Sequence, residues 1–258
     1  MIDAAVQDVG DVSVGRVLSR SFELLSGSFV KFVILTAIVW APSLVYQLFF
    51  FPPSSGIGTG GAATLAALGK VGLGRTLVNL LLPLTLSVIS QAALLYGAFQ
   101  QMRGRPFDVG SSLQKGLGRF FPVLGAAICL GLGVGFGTLL LIVPGIILWT
   151  MWYVAIPACV LEGIGPFEAL SRSSFLTSGS RWKVLGLALV IVLIIAVPGA
   201  ILQSVLGFTL GWSGLVIGAY VGRVLGGALA AIVAAVLYHE LRVAKEGVDV
   251  DRIAAVFD

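Results

Sequence analysis

Charge is what this sequence has least of. Of its 258 residues only 11% are Asp, Glu, Lys or Arg, while 58% are hydrophobic and the mean hydropathy is +1.05. A soluble domain is about 25% charged and 45–50% apolar, so a water-soluble globule is excluded and an integral membrane protein is expected. Histidine occurs once, as His239, and cysteine twice, as Cys129 and Cys159, both inside apolar runs and without ligand spacing to the histidine. That scarcity argues against a metal centre, a disulfide framework and a Ser–His–Asp set, so neither metal, cofactor nor catalytic residue is expected and the protein is read as non-enzymatic. His239, beside Tyr238, Glu240 and Arg242, reads as an interfacial side chain. The glycine-rich stretches GIGTGG and GLGVGFG lack the Lys-Ser/Thr ending of a phosphate-binding loop. The N-terminus MIDAAVQDVGDVSVGR has no apolar core, so no cleavable signal peptide is expected there.

What the chain has in abundance is apolar length. Six runs are long enough to cross a bilayer, 29–51, 76–102, 120–143, 146–161, 182–206 and 212–238, within a single membrane domain that spans 1–258. The expected fold is all-α, a polytopic six-helix transmembrane bundle. Residues 1–28 form a tail and surface helix and 239–258 a second tail. Pro42 and Pro198 are expected to interrupt their runs, and Pro144 with Gly145 to mark a turn or a sharp kink. Gly125, Cys129, Gly133 and Gly137 recur every four residues, as do Gly214, Gly218, Gly222, Gly226, Ala230 and Ala234. Such ridges let a second helix approach closely, and the longer one marks the sixth helix as central.

Between these runs lie amphipathic stretches. In Leu161 to Lys183, Pro166 opens a helix, Gly179 closes it, and Glu168 and Arg172 are spaced as an ion pair. Phe167, Leu170, Ser174 and Phe175 share one arc with Arg172 and Ser173 opposite, so the aromatic arc is expected to rest on apolar surface. Val12 to Ser26 is a second such helix, with Asp11 or Ser13 as its cap, and Asp108 to Arg119 a weaker third. LSRSFELLSGSFVK from Leu18 matches LSRSSFLTSGSRWK from Leu170 at nine of fourteen positions. The simplest reading is three parallel repeats of surface helix plus transmembrane hairpin.

Basic residues choose the orientation. Arg16, Arg20, Arg103, Arg105, Arg172, Arg181, Lys183 and Arg242 fall on one side of a six-span topology, and only Lys70 and Arg75 on the other. Both termini are therefore expected in the cytoplasm, with the protein in the cell membrane. Because the cations border apolar runs, the partners expected are anionic lipid headgroups, with a membrane or cytoplasmic protein as a further partner, and not nucleic acid.

The run Pro144 to Lys183 carries a family likeness. With VPGIIL followed by IPACVLEGIGPFEALSRSSFLTSGSRWKV, it resembles the glycerophosphoryl diester phosphodiesterase membrane domain and the related YciC-like family of uncharacterised bacterial membrane proteins. Pro144, Gly145, Glu162, Pro166, Arg172, Gly179 and Trp182 are among the matching positions, while Ser171, Ser174 and Ser178 stand where that family tends to carry basic or aromatic residues. The resemblance implies six membrane helices and little chemistry, because the family is named for a catalytic domain fused to some members. A barrel of the fused kind needs roughly 250 residues of its own.

Arg223 is the residue that stands out. It lies about 16 Å down the sixth helix from Trp212, near the bilayer midplane, where a charge usually faces the protein interior or a water-filled cavity. No carboxylate lies within any apolar run, so its partners are expected among Gln91, Ser87, Gln203 and Thr150, freed carbonyls near Pro198 or Pro144, or an anionic ligand. Arg172, Arg181 and Lys183 are the further candidate ligand contacts. Two functions fit: a non-enzymatic protein engaging lipids or partner proteins through its surface helices, or a small transporter or channel with a pathway near Arg223.

Overall fold

The computed structural model describes residues 13–50 and 73–247, and among them the secondary structure is helical. Asp11, Lys70 and the tail beyond 247 lie outside the described residues. In chain order the helices are α1 Val14–Phe50, α2 Leu73–Met102, α3 Val109–Gly118, α4 Phe120–Leu140, α5 Ile142–Met151, α6 Ala155–Glu162, α7 Pro166–Thr177, α8 Arg181–Leu210 and α9 Trp212–Glu246. Six stretches are long and apolar enough to cross a membrane: Val14–Phe50, Thr76–Met102, Phe120–Leu140, Ile142–Glu162, Arg181–Leu210 and Trp212–Glu246. The chain is a polytopic six-helix membrane bundle. Its outer surface carries exposed Phe49, Leu139, Ile201 and Phe208, side chains that hydrocarbon solvates and water does not.

α9 is the axis of the bundle. It packs on α1, α2 and α8 and touches α6 and α7. Its glycine ridge lies against α8, where a Cβ at Gly218 would stand 2.6 Å from the Cα of Gln203 and one at Gly226 would overlap Ile195. The ridge on α4 works the same way: Gly133 receives the Trp152 ring, and Gly125 leaves room for Pro166, 2.8 Å from where its Cβ would be. The densest core gathers Phe32, Leu35, Leu94, Leu95, Ile232 and Tyr238 toward one end of the molecule.

That end also carries most of the described charge. Arg20 donates to Glu240 at 3.1 Å with Arg16 at 3.9 Å, Lys31 Nζ donates to the Phe107 carbonyl at 3.0 Å, and the Arg119 guanidinium donates to the Gly163 carbonyl at 2.9 Å. The start of α1, the α6–α7 segment and the end of α9 therefore meet on one side. α3 is capped there by Asp108, whose carboxylate accepts from the Ser111 backbone N–H at 2.7 Å; this bond holds its pKa below the ordinary carboxylate value.

Several local expectations are corrected. α1 and α8 run unbroken through Pro42 and Pro198, since a proline removes one donor and packed neighbours hold the helix. The amphipathic start of α1 is not a separate helix but meets its span at a kink, Ser28 (φ −141, ψ 28). The turn after α4 falls at extended Leu141, which places Pro144 and Gly145 inside the first turn and a half of α5. The fourth span is broken at Trp152–Val154 into α5 and α6.

In α7, Pro166 does open the helix and Gly179 takes the left-handed conformation at φ +82. The Glu168–Arg172 pair does not form. Glu168 accepts from the Gly165 N–H at 3.2 Å, while Arg172 reaches Glu162 and Glu246. Ser173, expected to face outward, is fully buried, whereas Phe167 and Phe175 are exposed. The reason is the broken span: Ala155 N–H bonds to Trp152, which frees the Met151 carbonyl, and Ser173 and Thr177 hydroxyls donate to it at 2.8 and 3.1 Å.

Candidate intramembrane ligand site

The site follows from where the small residues stop filling space. Along α9, Gly222, Gly226, Gly227, Ala230 and Ala234 present almost no side chain toward α2 and the α5–α6 break. Opposite Gly222 stands Gly199, whose Cα would be 3.8 Å from a Cβ at 222, so neither helix closes the gap. A cavity of about 800 Å³ remains between α2, α5–α6, α8 and α9.

Arg223 opens into this cavity. Its guanidinium carbon lies 5.1 Å from the centroid of the Trp40 ring, within cation–π range, and no carboxylate among the described residues pairs with it. Ser87, Ser90, Gln91 and Gln203 share the lining with it. The Gln91 amide has no hydrogen-bond partner among the described residues, and Gln203 reaches the Leu215 carbonyl only at 3.5 Å. Trp149 and Tyr153, an edge-to-face pair with centroids 5.8 Å apart, wall the far side where the fourth span breaks. Irregular backbone at membrane depth is tolerated where it lines such a space. One cation with amide and hydroxyl donors, and no acid beside it, is suited to hold an anion by charge and hydrogen bonds.

The expected partners divide. Gln91, Ser87 and Gln203 share the cavity with Arg223, whereas Thr150 is buried elsewhere and returns its hydroxyl to the Ile147 carbonyl at 2.8 Å. The other cationic candidates do not join it. From Arg181 to Gly199 is 18 residues of α8, about 27 Å along the axis. Arg172 lies in the charge network at that far end, Arg181 is exposed at the first position of α8, and Lys183 follows it partly buried. Trp182 is 85% exposed beside them, and Glu162 anchors the network. His239 also lies at that end, about 24 Å along α9 from Arg223.

Trp40 is a lining residue that the expectations above leave out. Trp40 had a legible signal. It lies eleven residues into its run from Phe29, as Arg223 does from Trp212, so both sit at about the same depth.

No protein family, curated protein or solved structure matches this chain. What the fold and the site define is a class: a polytopic α-helical membrane protein in which an exposed arginine lines an open cavity between the helices.

Proposed function

We propose that this is a non-enzymatic, multi-pass protein of the cell membrane that binds the anionic head of a membrane lipid at Arg223. The observation that carries the reading is that Arg223 lines a cavity of about 800 Å³ with the Trp40 ring against its guanidinium and no paired carboxylate among the described residues. A charge at membrane depth costs about 2.5–3.5 kcal/mol on insertion scales, and an anion supplies the opposite charge that no carboxylate among the described residues gives it. The glycine and alanine face of α9 offers a smooth apolar wall for the chain of the same lipid.

The charged end faces the cytoplasm in this reading, because basic residues remain on the side that is not translocated. There Arg181 and Trp182, both exposed, meet the headgroup layer, while Arg20 and Arg172 are held by glutamates. Membership of the glycerophosphoryl diester phosphodiesterase membrane-domain family belongs to this proposal and rests on the run Pro144 to Lys183. So does the threefold repeat. For its first and third copies the support is that Val17 and Ala169, and Ser21 and Ser173, are equivalent positions with no exposure, and that Ser28 and Ser180 share a non-helical backbone.

Native mass spectrometry of the full chain in mild detergent tests the site. The wild type is expected to retain a phosphate- or carboxylate-headed lipid that Arg223→Gln, with the same elution and helicity, has lost. Equal retention by both proteins overturns it. Labelling of a single cysteine at Ser174 from outside intact cells would overturn the orientation.

A further inference from the structure

Arg223 belongs to two cavities. Beyond it lies a second, smaller chamber of about 210 Å³ lined by Ser43, Gln47, Asn79 and Trp212. On α9 the larger chamber is lined from Gly218 to Ala234 and the smaller one reaches Trp212. The two therefore flank α9 over residues 212–234, about 33 Å of helix, which is the thickness of a bilayer's hydrocarbon core, about 30 Å. Among the described residues Arg223 is the one charged side chain lining either chamber, and it lines both.

We infer that the two chambers are the halves of one route across the membrane for a phosphate- or carboxylate-bearing anion, with Arg223 and Trp40 at the constriction between them. The inference rests on the reading that Arg223 binds such an anion and adds that the anion passes. A guanidinium with no paired carboxylate at that point attracts anions and repels cations. Around it, donors take over from water on both sides: Gln91 in the larger chamber and Asn79 in the smaller, neither of them engaged in a hydrogen bond among the described residues. A single positive charge holds one anion at a time and lets it leave. The Trp40 ring supplies the guanidinium with a partner when the anion is gone. The wall has room to adjust: Gly199 stands beside Gly222, and the fourth span is already broken at Trp152–Val154.

The full chain, reconstituted into phosphatidylcholine vesicles, tests this with two probes. One is fluorescent phosphatidylglycerol, whose movement between leaflets is read by external reduction of the dye. The other is radiolabelled inorganic phosphate, read by efflux, with rubidium as the cation control. At least one anionic probe is expected to move faster than in protein-free vesicles, and rubidium is not. Movement of the lipid identifies a headgroup cargo, and efflux of phosphate a small solute. Arg223→Gln is expected to slow the probe at least about tenfold, the factor that losing one charge-assisted hydrogen bond carries. Asn79→Leu, in the smaller chamber only, is expected to slow movement while leaving lipid retention intact. If neither probe outpaces protein-free vesicles, if rubidium moves as fast, or if Asn79→Leu and Arg223→Gln both move the probe like wild type, the route is overturned. Retention that still depends on Arg223 would then leave the binding site standing. Loss of that dependence would remove both.

Discussion

Tyr238 and Glu162 are 76 residues apart in the chain, and the hydroxyl of the first donates to the carboxylate of the second. The same Glu162 accepts from Arg172 Nε at 2.9 and 3.1 Å, Arg172 continues to Glu246, and Arg242 Nε donates to Glu246 at 2.8 Å. The end of α6, the surface helix α7 and the end of α9 are thereby closed into one chain of charge. Glu162→Ala leaves a tyrosine hydroxyl and half of a guanidinium without partners. The expected loss is about 1.5–3 kcal/mol, the range for hydrogen bonds to charged groups, read as a lower midpoint of thermal unfolding in detergent. Glu162→Gln keeps an acceptor for Tyr238 and is expected to lose less. An unchanged midpoint in both would show that the network does not hold the helices together.

The Met151 carbonyl offers a second measurement. It is freed by the break in the fourth span and accepts from both Ser173 and Thr177. Either hydroxyl alone keeps it satisfied, so Ser173→Ala and Thr177→Val are each expected to cost about 1 kcal/mol or less, an ordinary net hydrogen bond. The double variant is expected to cost more than their sum, because the buried carbonyl is then left bare. Strict additivity in a double-mutant cycle would refute this.

How much of this was readable beforehand depends on the range of the forces involved. The six runs, the α9 ridge and the bounds of α7 at Pro166 and Gly179 follow from local chemistry, and they stand in the structure. Arg223, Gln91 and Gln203 do line one cavity, but no hydrogen bond joins the guanidinium to either amide among the described residues, so the expected pairing is not what the cavity holds. The partner of Arg172 was not readable in this way. Spacing favours Glu168, four residues away, but Glu246 comes from another helix, and the fold brings it closer. Ser173 misleads for a related reason. A serine on a helix beside a membrane can hydrogen-bond a neighbouring helix instead of facing water, and here the contact is a carbonyl 22 residues earlier. Pro42 and Pro198 interrupt nothing because neighbouring helices, invisible in the linear chain, hold the backbone on either side.

The α8–α9 seam separates two glycines that look alike in sequence. A methyl group at Gly218 would lie 2.6 Å from the Gln203 backbone, whereas one at Gly222 would meet Gly199 at an ordinary 3.8 Å. Gly218→Ala forces the helices apart and is expected to destabilise by about 1–3 kcal/mol, the range for overpacking. Gly222→Ala is expected to leave the unfolding midpoint within experimental error, and it takes a methyl's worth of space from the cavity beside Arg223. Equal midpoints for the two variants would show that the seam is looser than the close approach at 218 requires.

Trp40 is the remaining contact of Arg223, and its ring does two things at once. It fills the wall of the larger chamber, and its π face holds the guanidinium 5.1 Å from the ring centroid. Trp40→Leu keeps an apolar wall but removes the face. Arg223 is then free to turn away from the cavity, and retention of an anionic lipid is expected to fall roughly 2- to 30-fold, the equivalent of about 0.5–2 kcal/mol for a cation–π contact. Trp40→Phe keeps a weaker face and is expected to fall between leucine and wild type. Lipid retained per protein in native mass spectra, compared at equal helicity, gives that order. If leucine and phenylalanine behave alike, Trp40 acts by volume, and the cavity positions Arg223 without it.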